Sequence, residues 1–97
     1  NMSKSKRLLK FSASWCGPCK MMEQRLKDFT ACEIERIDVD DEGSDDPVLA
    51  HHVGDLIEKY HIMNVPVMVL VDDNYNLIKK WVGLTDIKTI EAEVANC

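Results

Sequence analysis

The sequence offers no apolar run that could cross a bilayer or form the core of a signal peptide. The basic opening "SKSKR" passes straight into "LLKFSASW", which is too short for either. It also lacks an excess of positive charge. Twelve Lys and Arg stand against seventeen Asp and Glu, and the formal net charge of -5 repels phosphate backbones and anionic lipid alike. Neither nucleic acid nor membrane is an expected partner. No repeat, low-complexity tract or linker interrupts the chain, and 97 residues leave no room for a second domain, so one domain with one modest core is expected over residues 1–97. The four cysteines are unevenly spaced, at Cys16, Cys19, Cys32 and Cys97. A domain with its own core needs no disulfide framework, so at most one pair is purposeful. These absences point to a monomeric cytoplasmic protein, with Asn1 ahead of Met2 read as an added residue.

What is present argues for a compact fold, since 45% hydrophobic and 30% charged residues are ordinary for a globular chain. Residues 7–13 read as a strand buried on one face and largely on the other. Met22, Leu26 and Phe29 recur at helical spacing after Cys19, with Lys20, Glu23, Gln24, Lys27 and Asp28 on the other side. Residues 33–39 form a second strand. The stretch "DDEGSDD" (40–46) has no apolar residue and reads as a surface loop, mobile and dispensable for folding over 41–46, with Asp46 and Pro47 opening the next helix. That helix carries Leu49, Val53, Leu56, Ile57 and Tyr60, and Gly54 is expected to weaken or split it. Strands at 66–72 and 77–82 meet at a turn, "DNYN", and Thr85 caps a last helix with Ile87, Ile90 and Val94. The order is βαβ followed by αββα.

The chemistry concentrates in "WCGPCK" (15–20). A Cys-x-x-Cys where a strand gives way to a helix puts Cys16 at the helix N-terminus, where unpaired N–H groups and the helix dipole favour a thiolate. Cys16 is the expected exposed nucleophile, and Cys19, one turn deeper, the resolving thiol that closes a disulfide. Pro18 suits the first turn, and Gly17 allows a partner to approach closely. The same two cysteines could be half of a zinc site completed by His51, His52 or Cys32, although structural zinc usually joins two such short-spaced knuckles. His51 and His52 otherwise read as a solvated helix edge. Cys32 and Cys97 read as free thiols, with dimerisation through Cys97 the sharper alternative. Trp81 is expected to pack on its strand, and Met21 and Met22 to fill core or rim.

With Trp15-Cys16-Gly17-Pro18-Cys19-Lys20, Val65-Pro66 ahead of a β-rich run and Val82-Gly83 after the last strand, the chain resembles the thioredoxin family over residues 7–96. The resemblance implies an α/β thioredoxin fold: a central mixed four-stranded sheet flanked by three helices, in the shorter βαβαββα form without the N-terminal strand and helix of full-length members. It implies that Pro66 is cis beside the cysteines. Trp15, Val65 and Val82-Gly83 would then shape the groove that receives an extended substrate segment. Two departures stand out: Gln24 replaces a helix proline, and Lys10 occupies the strand position where the family keeps a buried aspartate.

The activity implied is protein-disulfide reduction through Cys16 and Cys19, with no cofactor and no metal. Electrons would come from a thioredoxin-reductase-like flavoenzyme or from glutathione. The alternative is a thioredoxin-like binding subunit that docks on a larger enzyme through the 40–46 segment. Lys10 should point beneath the cysteines, as a neutral base, as a charge tuning Cys19, or as a packed stem whose ammonium snorkels to solvent or pairs with Glu35 or Asp38.

Overall fold

The computed structural model describes residues 5–96, so the expectations for Asn1 and Cys97 lie outside the described residues. In chain order the elements are β1 (Lys6–Ser12), α1 (Gly17–Leu26), β2 (Glu33–Asp38), a 3-10 helix (Val39–Gly43), α2 (Pro47–Lys59), β3 (Val67–Asp72), β4 (Leu77–Val82) and α3 (Ile87–Ala95). The sheet order is β2-β1-β3-β4. β1 and β2 run parallel, β3 is antiparallel to β1, and β4 is antiparallel to β3. A parallel pair needs a crossover connection, which α1 supplies.

Because strand side chains alternate, β1 feeds two cores. Leu9 and Phe11 face one layer with Ile37, Val67, Val69 and Val71 of the sheet and Val53, Leu56 and Tyr60 from α2 and its end. Leu8 faces the other layer with Met68 and Leu70, under Met22 and Leu26 of α1 and Ile90 of α3. Phe11 and Tyr60 meet edge to face, with ring centroids 6.3 Å apart. Lys10 falls on the Leu8 side.

Three local expectations need correction. The 40–46 stretch is not a featureless loop: Val39–Gly43 forms a 3-10 helix, Asp38 caps it by accepting the Asp40 N–H at 2.9 Å, and Val39 packs against the core. Its acidic residues hid this turn, because the apolar anchor, Val39, lies one residue before them. Gly54 does not split α2; Glu42 of the 3-10 helix lies over it, where an added Cβ would be 3.6 Å from the carboxylate. The cap of α3 is Asp86, which accepts the Lys88 N–H, whereas Thr85 turns back to donate to the Gly83 carbonyl at 3.0 Å. Asp46 caps α2 and Pro47 opens it, as expected.

The end of α2 sets up the segment that leads to Pro66. His61 takes a left-handed conformation (φ 54°) just past the helix. The Ile62 N–H then reaches back to the Ile57 carbonyl at 2.9 Å, and the His61 N–H to that of Glu58 at 3.3 Å. This pairing closes the last turn and satisfies its carbonyls. Lys80 of β4 adds its ammonium to the Tyr60 and His61 carbonyls at 2.8 and 3.1 Å. Residues 62–66 are thereby held between a fixed helix end and β3.

Candidate functional site

The site forms where β1 ends and α1 begins. Cys16 is the N-cap of α1, with φ -94° and ψ 110°, and its backbone N–H bonds the Ala13 carbonyl at 3.1 Å. Its Sγ accepts the Cys19 N–H at 3.1 Å, taking up one of the donors that a helix start leaves unpaired. Cys16 and Cys19 are joined in a disulfide, with Cα atoms 5.3 Å apart. Pro18 sits in the first helical turn, and Gly17 has open space where a Cβ would project.

Cys16 is not exposed in this disulfide state. It is 5% accessible and Cys19 2%, both packed with Ala13 against Val39 and Val65. Sequence spacing set the order of the cysteines along the helix but could not show that Val39 and Val65, from two other segments, close over them.

The Val65–Pro66 peptide is cis, and the Cys16 Sγ lies 3.7 Å from the Val65 carbonyl oxygen. Pro66 is buried. Its carbonyl accepts the Gly83 N–H at 2.8 Å, which ties the turn after β4 to the start of β3. Gly83 has φ 88°, a conformation open to glycine at little strain. Trp15 and Met63, 68 and 85% exposed, form an apolar rim on the Val39 and Val65 side of the pair, and Val82, ahead of Gly83, is 61% exposed. Trp15 donates its indole N–H to the Asp40 carboxylate at 3.0 Å. Beside it opens a groove of about 480 Å³ among Trp15, Val39, Ile57, Met63 and Val65, edged by Asp40 and Glu42.

Lys10 lies beneath the pair and is 4% exposed. Its ammonium donates to the Cys19 carbonyl at 3.1 Å and to the Glu23 carboxylate at 2.8 Å. Arg36 grips the same carboxylate through three contacts of 2.7 to 3.1 Å. The Arg36 hydrogen bond, helped by Lys10, outweighs partial burial and holds the Glu23 carboxyl down at about 2. Neither partner expected for Lys10 is used. Glu35 lies on the opposite face of β2, where it meets Arg7 and the Tyr75 hydroxyl, and Asp38 caps the 3-10 helix.

Glu23 reads in the sequence as part of the polar face of α1, and neither Arg36 nor the side chain of Asp40 stands out there. One signal was available: Glu23 follows Cys19 by four residues, one helical turn on, whereas Arg36 becomes the β2 neighbour of Lys10 only through the sheet register. The remaining candidates lie away from the site. His51 meets Asp55 and His52 meets Glu35, each at 3.5 Å on an open surface. Cys32 is half-buried, and burial pushes its thiol upward. Trp81 and Met22 pack in the core layer under α1 and α3, while Met21 is exposed. Among the described residues no three His, Cys, Asp or Glu side chains converge as a metal site would need, and no helix is long and apolar enough to cross a membrane.

Comparison with known proteins places these features in context. A sequence-family model described as thioredoxin matches residues 1–96. Mitochondrial thioredoxin of Mus musculus is 33% identical over 87 residues, covering 84% of this chain and 45% of that protein. The chain thus spans about half the length of the mitochondrial relatives it matches. Thioredoxin of Alicyclobacillus acidocaldarius is 26% identical over 89 residues, covering 92% of this chain and 78% of that one. Among solved structures, a mutant thioredoxin from Halobacterium salinarum superposes with a TM-score of 0.69 at 27% identity, over 95% of this chain and 74% of that one.

Proposed function

Because the chain belongs to the thioredoxin family, we propose that it is a thiol–disulfide oxidoreductase that reduces protein disulfides through Cys16 and Cys19. The observation that carries this reading is the placement of the Cys16 sulfur: it caps α1, receives a helix N–H, and is bonded to Cys19 one turn deeper. Helix-terminal donors favour an anionic sulfur there.

In the reducing direction the Cys16 thiolate attacks one sulfur of a substrate disulfide, and the other leaves as a thiolate. Cys19 then loses its proton and attacks the Cys16 Sγ. The Cys16–Cys19 bond forms, the bond to substrate breaks, and two electrons have passed from the dithiol to the substrate. The exposed apolar rim of Trp15 and Met63, with Val82 also exposed, suits docking of an extended protein segment, and the Val65 backbone beside Cys16 offers it hydrogen-bonding partners. The dithiol is regenerated by a thioredoxin-reductase-like flavoenzyme or by glutathione. A reducing compartment such as the cytoplasm suits this direction of turnover, in a protein that acts as a monomer without cofactor.

Insulin reduction driven by dithiothreitol tests the reading. The wild-type chain should accelerate precipitation of the insulin B chain, and Cys16→Ser should fall to the uncatalysed rate. No acceleration by the wild-type chain overturns the redox reading in favour of a binding subunit.

A further inference from the structure

Lys10 is the one charged side chain buried in the core among the described residues, and the exchange reaction as derived above makes no use of it. Its surroundings define its chemistry. The Lys10 nitrogen donates both to the Cys19 carbonyl and to the Glu23 carboxylate, its ion-pair partner, and so is held against the backbone of the resolving cysteine. The Glu23 carboxylate would cancel that charge if it belonged to Lys10 alone, but Arg36 engages it more extensively. Lys10 and Arg36 contribute +1 each and Glu23 −1, leaving one net positive charge beneath the disulfide. Two further charged groups face this place, Lys20 and Asp38, which line the same shallow cleft of about 270 Å³ with Lys10, Cys19 and Glu23. Asp38 is turned to the Asp40 N–H. The cleft opens to solvent, so a proton leaving Cys19 has a route to bulk water without a buried base.

We propose that Lys10 is a positioning residue for thiol–disulfide exchange: its ammonium, fixed by Glu23 and Arg36, stabilises the Cys19 thiolate and so makes this cysteine pair a stronger oxidant than a pair without that charge. The inference rests on the redox reading above. It makes the reduced form, with Cys19 as thiolate, more stable relative to the disulfide. When Cys19 attacks the Cys16 mixed disulfide, the same charge raises the fraction of attacking thiolate at neutral pH. Glu23 opposes this effect by partly neutralising Lys10. Lys10 and Glu23 therefore act on the equilibrium with opposite sign, which two residues serving packing alone would not do.

The test pairs two measurements on the full chain. Equilibration in glutathione redox buffers reads the balance of disulfide and dithiol, and stopped-flow reaction of the reduced protein with dithiodipyridine reads the attack by Cys16 and then the release by Cys19. Lys10→Met should shift the glutathione equilibrium toward the disulfide by about tenfold, equivalent to about 30 mV for a two-electron couple. It should also move the second kinetic phase to higher pH while leaving the first in place. Glu23→Gln should shift the equilibrium the other way, and Lys10→Arg should stay within about twofold of wild type because the charge is kept. Lys10→Met and Glu23→Gln shifting in the same direction, or neither shifting, overturns the proposal. Should Lys10→Met fail to fold by circular dichroism, the sign for Glu23→Gln decides alone, and a shift toward the disulfide refutes it. A wild-type chain that releases no thiopyridone from a Cys16–Cys19 couple overturns the redox reading itself, an outcome separate from unchanged variants.

Discussion

The indole N–H of Trp15 donates to the carboxylate of Asp40 at 3.0 Å, joining the residue ahead of Cys16 to a segment 25 positions further along. Both partners are exposed, so the bond contributes little to stability. Its consequence is orientation: it fixes the largest exposed ring at the edge of the groove. Asp40→Ala should leave the unfolding midpoint nearly unchanged but lower the rate of insulin reduction by about two- to fivefold through lost positioning. Trp15 emission should become less anisotropic. An unchanged rate with a freed indole would show that ring orientation is immaterial to docking.

Glu23 supplies a pH signature. Its carboxyl sits at about 2 in the folded chain against 4.5 for an unpaired glutamate, because Arg36 and then Lys10 hydrogen-bond the ionised form. A depressed folded value means that the unfolded chain binds the proton first on acidification. The stabilisation from Glu23 is therefore fully present above pH 4.5 and is lost as pH falls through about 2. Urea titrations of wild type and Glu23→Gln should show a stability difference at pH 7 that narrows below pH 4.5 and closes near pH 2. A difference independent of pH would remove the ion pair as its source.

Gly83 joins the two halves of the site through its N–H to Pro66 at φ 88°. An added Cβ meets nothing within 4 Å, so the penalty of a substitution is conformational rather than steric. Gly83→Ala should lower stability by about 1–2 kcal/mol in urea denaturation. Gly17→Ala, also free of contacts, should be tolerated better because it lies in the first turn of α1 at negative φ.

In the reduced chain, iodoacetamide should label Cys16 at least several-fold faster than Cys19 at pH 7, since Cys16 alone caps the helix while Cys19 lies a turn inside it. Peptide mapping after brief labelling checks this. Equal labelling would mean that the cover from Val39 and Val65 persists after reduction and sets the reactivity of both thiols.

The sequence by itself determined the elements and the reactive pair, because both are written in short-range pattern. Alternation across Leu8, Leu9, Lys10 and Phe11 specifies a strand with two buried faces. Helical spacing from Met22 to Leu26 specifies α1, and Cys16 and Cys19 read as a couple since three residues are one helical turn. Asp46 and Pro47 mark the start of α2 by local hydrogen bonding alone. Even the side of the sheet toward which Lys10 points followed from period two.

Only the tertiary structure decided what Lys10, Trp15 and the cysteines touch. Glu23 comes from α1 and Arg36 from β2, so the ion-paired cluster under Cys19 exists only once the helix packs on that face of the sheet. The 3-10 helix hid behind its own acidic composition, since its hold on the molecule is Val39 in the core and Glu42 over Gly54. Thr85 and Asp86 were both fit to cap α3, and the turn at Gly83 chose between them by drawing the threonine hydroxyl away. Burial of Cys16 likewise depends on Val39 and Val65, contributed by segments distant in the chain. Local pattern fixes what a residue's own neighbours determine; contacts between separate elements depend on how those elements pack, which no spacing within one of them encodes.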